Sequence, residues 1–275
     1  MRFWPASSKN RRPPLRKAVR AAVVVALLAF CPLTGVNADP QPFPTTKPVT
    51  LLEVTSGFDS LDHGYAPWHD VGVRVGRTSS RGSDVHASVE STNRFGLDDL
   101  SYGAGIVDRI TRRSSFSLDT AFSGTHRVVP AASVRAEYES VAANGIGGAF
   151  AVGRRDYRVG GVTLLTGTIE RYAGDSRVAF ALTTSRLDGT SSGLGIHVSG
   201  ARYFRDDARI QIDAATGREI ESTAGVPTSI DAVNVSVSGV QPLSPGWSLP
   251  LGVEYDREGR FYSRTGIRIG IRRRS

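Results

Sequence analysis

The sequence has almost no cysteine, which stabilises many small secreted proteins, and little lysine, which is common on the surface of soluble proteins. Cys31 is the only cysteine among 275 residues, and it lies in an N-terminal stretch that we predict to be removed. Without cysteine, the remaining chain has no disulfide, no thiol chemistry and no cysteine metal site. Lys47 is the only lysine after residue 38, whereas arginine is abundant. Arginine stays charged when desolvated and pairs with carboxylates in a fork geometry, which suits a crowded polar interior.

The first 38 residues have the pattern of a secretory signal peptide. Basic residues up to Arg20 precede an apolar run over 21–30, and Val36-Asn37-Ala38 offers a small-residue cleavage site. The run is shorter than the roughly 20 residues of a transmembrane helix, so a retained anchor helix is the less favoured alternative. We predict a signal peptide over 1–38 and a flexible, proline-rich leader over 39–48.

Removal of the signal peptide changes the charge of the chain. Seven of the 34 basic residues and none of the 26 acidic residues lie in it, so the mature chain carries a net charge of about +1. The basic character of the full sequence therefore belongs mostly to the discarded segment. We predict no nucleic acid partner on this ground.

From Val49 onward, short stretches alternate between two kinds of residue, and no helical period persists. In the final stretch, 261–272, Phe261, Thr265 and three isoleucines occupy odd positions, and Tyr262, glycine and arginine occupy even positions. Successive side chains of a strand point to opposite faces, so one face is apolar and the other is glycine, small polar or charged. A soluble sandwich would place the second face in water. A membrane barrel would place the first face in lipid and the second in a wet lumen.

The second face favours the barrel. A soluble all-β protein of this size would carry many lysines and glutamates outside, but here glycine, small residues and isolated charges of both signs occur. Small residues fit a curved lumen, and closure leaves no unpaired strand edge in lipid. We predict an all-β fold, a single antiparallel transmembrane β-barrel of about 14 strands over 49–275. A weak first or eleventh strand would reduce the number to twelve.

An even number of strands places both chain ends in the periplasm. The predicted connections alternate between short turns, which we place in the periplasm, and longer loops outside. The short turns are 77–82, 142–145, 173–175 and 242–246, and the longer loops include 59–67, 123–130 and 217–230. The loop over 217–230, with Arg218, Glu219 and Glu221, is a candidate gate or, alternatively, a network of charges at the rim.

Ten charged residues share the parity of the lumen face in the predicted strands. They are Glu53, Arg74, Glu90, Asp119, Arg135, Glu137, Asp213, Glu254, Arg264 and Arg268. Two interpretations stay open. The charges could form a salt-bridged interior that plugs the barrel, or a narrow charged pore whose arginines meet an anionic solute.

A lipid hydrolase is the alternative function. Ser123 and His126 share one predicted loop, and Asp119 lies on the preceding strand. A hydrolase needs the serine within hydrogen-bond reach of the imidazole and an acid near it, and no spacing here requires that arrangement. No histidine pair has metal-ligand spacing with a nearby carboxylate, so we expect neither a metal nor another cofactor.

Short motifs spread over the mature chain resemble one family. They are Trp68 after a glycine-rich turn, Arg94-Phe95-Gly96-Leu97-Asp98, His126 with Pro130, Arg155-Asp156-Tyr157, Glu170-Arg171-Tyr172, Gly217-Arg218-Glu219-Ile220-Glu221, and Tyr262-Ser263-Arg264-Thr265-Gly266. In this order they are similar to the YaiO family of outer-membrane β-barrel proteins. The resemblance implies an outer-membrane location and no established activity.

From these observations we expect a non-enzymatic outer-membrane barrel, either a narrow channel or a barrel associated with envelope polysaccharide export. Its expected partners are outer-membrane lipid and lipopolysaccharide, the barrel assembly machinery, and polysaccharide or export components.

The last strand also resembles the signal that the assembly machinery reads, with Ile271 where an aromatic residue is common. We predict that Ile271→Asp abolishes outer-membrane assembly, because it places a charge on the apolar face of that strand. Fractionation of the cell envelope measures the effect. Recovery of the variant in the outer membrane at the wild-type level would contradict the prediction.

Overall fold

The computed structural model of the protein describes residues 48–158, 160–188, 192–204, 208–223 and 226–275, and the side chains of 219–229 are outside that description. Fourteen strands form one closed antiparallel barrel, in which each strand pairs with its sequence neighbours and the last pairs with the first. The predicted fold and strand number are confirmed. The predicted signal peptide and nearly all of the leader lie outside the described residues. In the described part of the chain, no helix is long and apolar enough to cross a membrane.

The strands are long and connected by short segments. They are β1 (Val49–Leu61), β2 (Trp68–Thr78), β3 (Asp84–Arg94), β4 (Leu97–Arg109), β5 (Ser114–Ser123), β6 (Ala132–Val141), β7 (Ile146–Tyr157), β8 (Gly160–Ala173), β9 (Ser176–Leu187), β10 (Ser192–Tyr203), β11 (Arg209–Thr223), β12 (Val226–Ser244), β13 (Trp247–Glu258) and β14 (Tyr262–Arg274).

The seam between β1 and β14 closes the barrel. Its register runs from Leu51 opposite Arg274 to Leu61 opposite Arg264. Beyond it, the backbone groups of Thr50 and Ser275 bond each other reciprocally at 2.8 and 3.0 Å. The two ends of the chain therefore lie at one rim, which for bacterial barrels is the periplasmic rim, and the opposite rim is extracellular.

The two faces of the wall differ as the alternation predicts. Large apolar side chains point outward and are exposed, as Ile267 is at 58%. The other face carries glycine, small polar and charged residues, and it is largely half-buried or buried. In a closed barrel the crowded face is the lumen face, so the isoleucines of β14 face lipid.

The barrel is flattened on one side. β8 and β12 are not neighbours in the wall, yet some of their Cα atoms lie within 8 Å of each other, and the same holds for β9 and β11. Lumen-facing residues here are small and buried, such as Ala179, Ala181 and Ser199, and Val162 is only 1% exposed. We call the lumen faces of β8–β12 the closed side and those of β2–β6 the open side.

The prediction of a loop over 217–230 is wrong, because strands occupy most of this stretch. β11 continues to Thr223 and β12 begins at Val226, and the two strands pair over this whole stretch. Alternation continues through it, so the ladder continues as well. The expected contrast in connection length holds only in part, because the extracellular connections include the two-residue turn at 95–96 as well as the long loop over 124–131.

Candidate functional site

The ten predicted lumen charges all lie on the lumen face, but they form several separate groups. Register places Glu53 between Arg74 and Arg272, and Asp119 directly opposite Arg135. The groups are pairs and small clusters that occupy different heights and different sides of the lumen. The ten charges therefore do not form a single ring around the lumen.

The largest group lies across the seam, and we call it the seam network. It consists of Asp59, Asp70, Glu254, Asp256, Arg264 and Arg268. Arg264 contacts Asp59, Glu254 and Asp256 with N···O distances of 3.2, 3.2 and 2.9 Å. Arg268 contacts Asp59, Glu254 and Asp70 at 2.9, 3.1 and 3.6 Å. Two arginines thus bind four carboxylates contributed by β1, β2 and β13.

Asp59 is the centre of the seam network. It contacts both arginines and is only 1% exposed. Glycines create the space for it, because a methyl group at Gly266 would overlap the Asp59 and Glu254 side chains. A methyl at Gly57 would overlap Asp70 in the same way. The charged side chains therefore pack directly against the backbone at Gly57 and Gly266.

Sequence reasoning found Glu254, Arg264 and Arg268 but missed the carboxylates Asp59, Asp70 and Asp256. It assigned Asp59 to the start of a loop, whereas β1 extends to Leu61. The sequence does indicate that Asp59 faces the lumen, because it lies an even number of positions from Glu53 and Gly57 on the same strand. No signal in the sequence paired residue 59 with residues more than 200 positions away.

The other predicted lumen charges form local contacts. Arg272 bonds Glu53, and Arg135 bonds Glu137. His86 lies 3.2 Å from Asp119, and His197 lies 3.0 Å from Asp213. Glu90 accepts a hydrogen bond from the Thr92 hydroxyl at 3.1 Å. Arg74 is exposed to the lumen and forms no ion pair with any described residue.

A smaller group on the closed side lies near the periplasmic rim. Arg177 donates to Glu170 at 2.6 Å, and Glu170 is buried. Gly147 again supplies the space, because a methyl there would meet the Glu170 carboxylate. Sequence reasoning noted Glu170 and Tyr172 only as motif residues and missed Arg177, which lies opposite Tyr172 on β9.

An aromatic group fills the extracellular end of the lumen above the seam network. We call Tyr65, Trp68, Phe95, Tyr262 and the two arginines Arg94 and Arg264 the mouth cluster. The rings contact one another edge to face, with centroids 5.1–5.9 Å apart. The guanidinium carbons of Arg94 and Arg264 lie 4.7 and 5.0 Å from the Trp68 ring centroid. Both distances suit cation–π attraction.

The mouth cluster unites family motifs that are far apart in the sequence. Trp68, Arg94, Phe95, Tyr262 and Arg264 come from three separate motifs and meet in one contact group. The remaining motif residues are dispersed along the wall and rims. These are Gly96, Asp98, His126, Pro130, Arg155, Tyr157, Glu170, Arg171, Tyr172, Gly217 and Arg218, with Glu219 and Glu221 among the undescribed side chains.

The loop over 124–131 folds against the inside of the wall. The Asp99 carboxylate on β4 accepts three successive backbone N–H groups, from Arg127, Val128 and Val129, at 2.9, 2.6 and 2.9 Å. Val128 and Asp99 are both buried. One carboxylate therefore fixes the loop at the extracellular mouth.

The hydrolase alternative fits this geometry poorly. The Ser123 hydroxyl accepts the backbone N–H of His126 at 3.1 Å, so the contact does not involve the imidazole. Asp119, the predicted acid, contacts His86 instead. The serine thus lacks the base contact that would activate it.

Two carboxyl groups in the extracellular connections, Asp62 and Asp188, have lowered pKa values. The backbone N–H of Ser263 donates to Asp62 at 2.8 Å and lowers the pKa of that carboxyl below its ordinary value. Hydrogen bonds from Arg154 lower the pKa of Asp188. Both groups are therefore anionic at neutral pH, and their contacts are lost only as the pH falls through these lowered values.

Comparison with known proteins identifies the family. A model described as the YaiO membrane beta barrel domain matches residues 50–221. The chain belongs to the YaiO family. The comparison with curated proteins returns no match. The match confirms the resemblance inferred from the motifs. As a member of this family, the protein is an outer-membrane barrel.

Solved structures share the barrel architecture at low sequence identity. A bacterial polysaccharide outer membrane secretin is 7% identical with a TM-score of 0.54, covering 82% of this chain and 98% of that chain. Salmonella typhi OmpF in complex with daunomycin is 8% identical with a TM-score of 0.45, covering 84% and 98%. An anion-selective porin from Comamonas acidovorans is 8% identical with a TM-score of 0.43, covering 82% and 99%.

We predict that Asp59→Ala destabilises the folded barrel by about 3 kcal/mol, because it removes a buried partner of two arginines. Asp231→Ala is the control, since its pair with Arg218 at 3.4 Å is exposed and worth less than about 1 kcal/mol. Urea unfolding of the barrel in lipid vesicles measures both. Equal losses in the two variants would contradict the central role of Asp59.

Proposed function

We propose that this protein is a narrow passive channel in the outer membrane with a preference for small anions. Arg74 carries the proposal. Its side chain is exposed to the lumen and has no carboxylate partner among the described residues, whereas arginines cover the seam carboxylates. An exposed arginine in a narrow lumen attracts anions and repels cations.

The shape of the lumen supports a passage on one side. On the closed side, small buried residues fill the space between facing walls. On the open side, the lumen face carries Arg74, Glu90 and Arg135, all of them exposed, together with half-exposed Asp119. Solute would therefore pass along β2–β6.

Arg74 sets the preference for anions because other charged residues on the open side have partners nearby. Arg135 bonds Glu137, and Asp119 lies beside His86. Glu90 accepts the Thr92 hydroxyl at 3.1 Å, and it forms no ion pair with a described residue. Arg74 is the exposed cation on this surface that forms no ion pair with a described residue.

Association with polysaccharide export stays a prediction from the sequence. The polysaccharide secretin resembles this chain in fold, and at 7% identity the likeness does not extend to cargo. The expected partners, lipopolysaccharide, the assembly machinery and export components, likewise stay predictions. A hydrolase is not proposed, because the Ser123 contact involves the His126 backbone.

Planar-bilayer recordings of the refolded protein test the channel. We expect small conductance steps, and a reversal potential in a KCl gradient that indicates anion preference. Arg74→Ser should weaken the preference and Arg74→Glu should invert it, because each changes the unpaired lumen charge.

Arg273→Ser is the matched control. Arg273 faces outward at the periplasmic rim, with its guanidinium 5.4 Å from the Trp247 ring, so selectivity should not change. Absence of conductance, or equal effects of the Arg74 and Arg273 variants on the reversal potential, would refute the proposal.

A further inference from the structure

The mouth cluster contains hydrogen-bond donors without acceptors. Trp68 Nε1 and Arg264 Nε are both buried, and neither reaches an acceptor in the described part of the protein. Trp68 itself is 5% exposed. Arg94 stacks on the same ring and forms no ion pair with a described residue. Buried donors are nearly always satisfied in proteins, so two such nitrogens at one ring, with the half-buried Arg94 stacked on it, require an explanation.

The seam network does not supply the missing acceptors. Its carboxylates bind the two terminal nitrogens of Arg264, and Nε has no acceptor among the described residues. Arg94 belongs to the wall on the other side of Trp68, at the end of β3. Guanidinium groups therefore reach Trp68 from β3 on one side and from β14, beyond β1, on the other, while the carboxylates lie deeper in the lumen.

Aromatic surface accompanies these donors at the rim. Tyr65 is 44% exposed and contacts both Phe95 and Tyr262 at 5.8 Å between centroids. Phe95 is half-buried and occupies a tight turn with a φ of 55°. Ligand sites combine such apolar surface with a few placed polar groups.

The exposed ring of the mouth cluster, Tyr65, belongs to a short connection and not to a strand. Tyr65 lies in the six-residue β1–β2 connection, next to His63 and Gly64, which both have positive φ. Its backbone N–H bonds Asp62 at 3.3 Å, and its ring otherwise rests on the cluster. A ligand that displaces this ring would reach the donors around Trp68.

We infer that the mouth cluster is an extracellular binding site for an acidic saccharide. The carboxylate pairs with Arg94, whose planar guanidinium suits two parallel bonds to it. Ring oxygens and hydroxyls accept from Trp68 Nε1 and Arg264 Nε, and the apolar face of a sugar ring packs on Tyr65 and Phe95. This inference goes beyond the channel, because binding at the rim requires no conduction.

Tryptophan fluorescence tests the site in the mature, refolded barrel. Trp247→Phe leaves Trp68 as the only tryptophan after residue 38. The probe is a hyaluronan tetrasaccharide, in which glucuronate alternates with N-acetylglucosamine, and chitotetraose is the neutral control. We expect a saturable change in Trp68 emission with the acidic probe, and binding of chitotetraose at least about 10-fold weaker.

Two arginine variants separate a specific site from general attraction. Arg94→Gln should weaken binding of the acidic probe at least about 10-fold, because it removes a charged donor. Arg127→Gln, which changes an exposed extracellular arginine outside the cluster, should leave affinity unchanged. Isothermal titration calorimetry of the same variants makes the test independent of Trp68 emission.

Three results would overturn the inference. They are no heat and no emission change with the acidic probe, equal binding of both saccharides, and equal losses in the Arg94 and Arg127 variants. The channel proposal is judged separately. Conductance without saccharide binding would refute this site alone, and binding without conductance would refute the channel alone.

Discussion

Backbone hydrogen bonding in lipid is the constraint on which this structure depends. A strand edge in the hydrocarbon would leave N–H and C=O groups without partners, so β1 must find β14 at the far end of the chain. The seam network lies on the lumen face of this joint. Asp59 of β1 contacts arginines of β14, which in turn contact carboxylates of β13. The most concentrated charge in the barrel thus stabilises the pairing that closes it.

The seam network and the mouth cluster share Arg264. Its terminal nitrogens bind carboxylates below, and its guanidinium plane stacks on Trp68 above. Aromatic packing at the extracellular end and ion pairing beneath it therefore depend on one side chain. The opposite wall uses small residues instead, and there the barrel flattens. This unequal filling is what confines the proposed passage to the open side.

Much of the fold follows from the sequence by a simple physical rule. Period-two alternation shows which side chains share a face, and the glycine-rich second face distinguishes a lumen from a solvent surface. Strand number, lumen parity of the ten charges and the lipid-facing isoleucines of β14 follow from it. Partners across the seam do not, because alternation is local and carries no information about residues more than 200 positions apart. The partners of Asp59 were missed for this reason. Arg177 lies only seven positions from Glu170 and shares the parity of Ala179, so alternation could have placed it. The paired stretch over 217–230 was predicted to be a loop because it is rich in charged and polar residues.

Thiol accessibility tests the central claim, a closed barrel with water along one side of its lumen. The mature chain has no cysteine, so single cysteines at positions 73, 74 and 199 are clean reporters in the refolded barrel. A membrane-impermeant, water-soluble maleimide should label Arg74→Cys rapidly. It should spare Val73→Cys, which faces lipid, and Ser199→Cys, which is buried on the closed side. Equal labelling of positions 73 and 74 would contradict the barrel faces, and rapid labelling of position 199 would contradict the one-sided lumen.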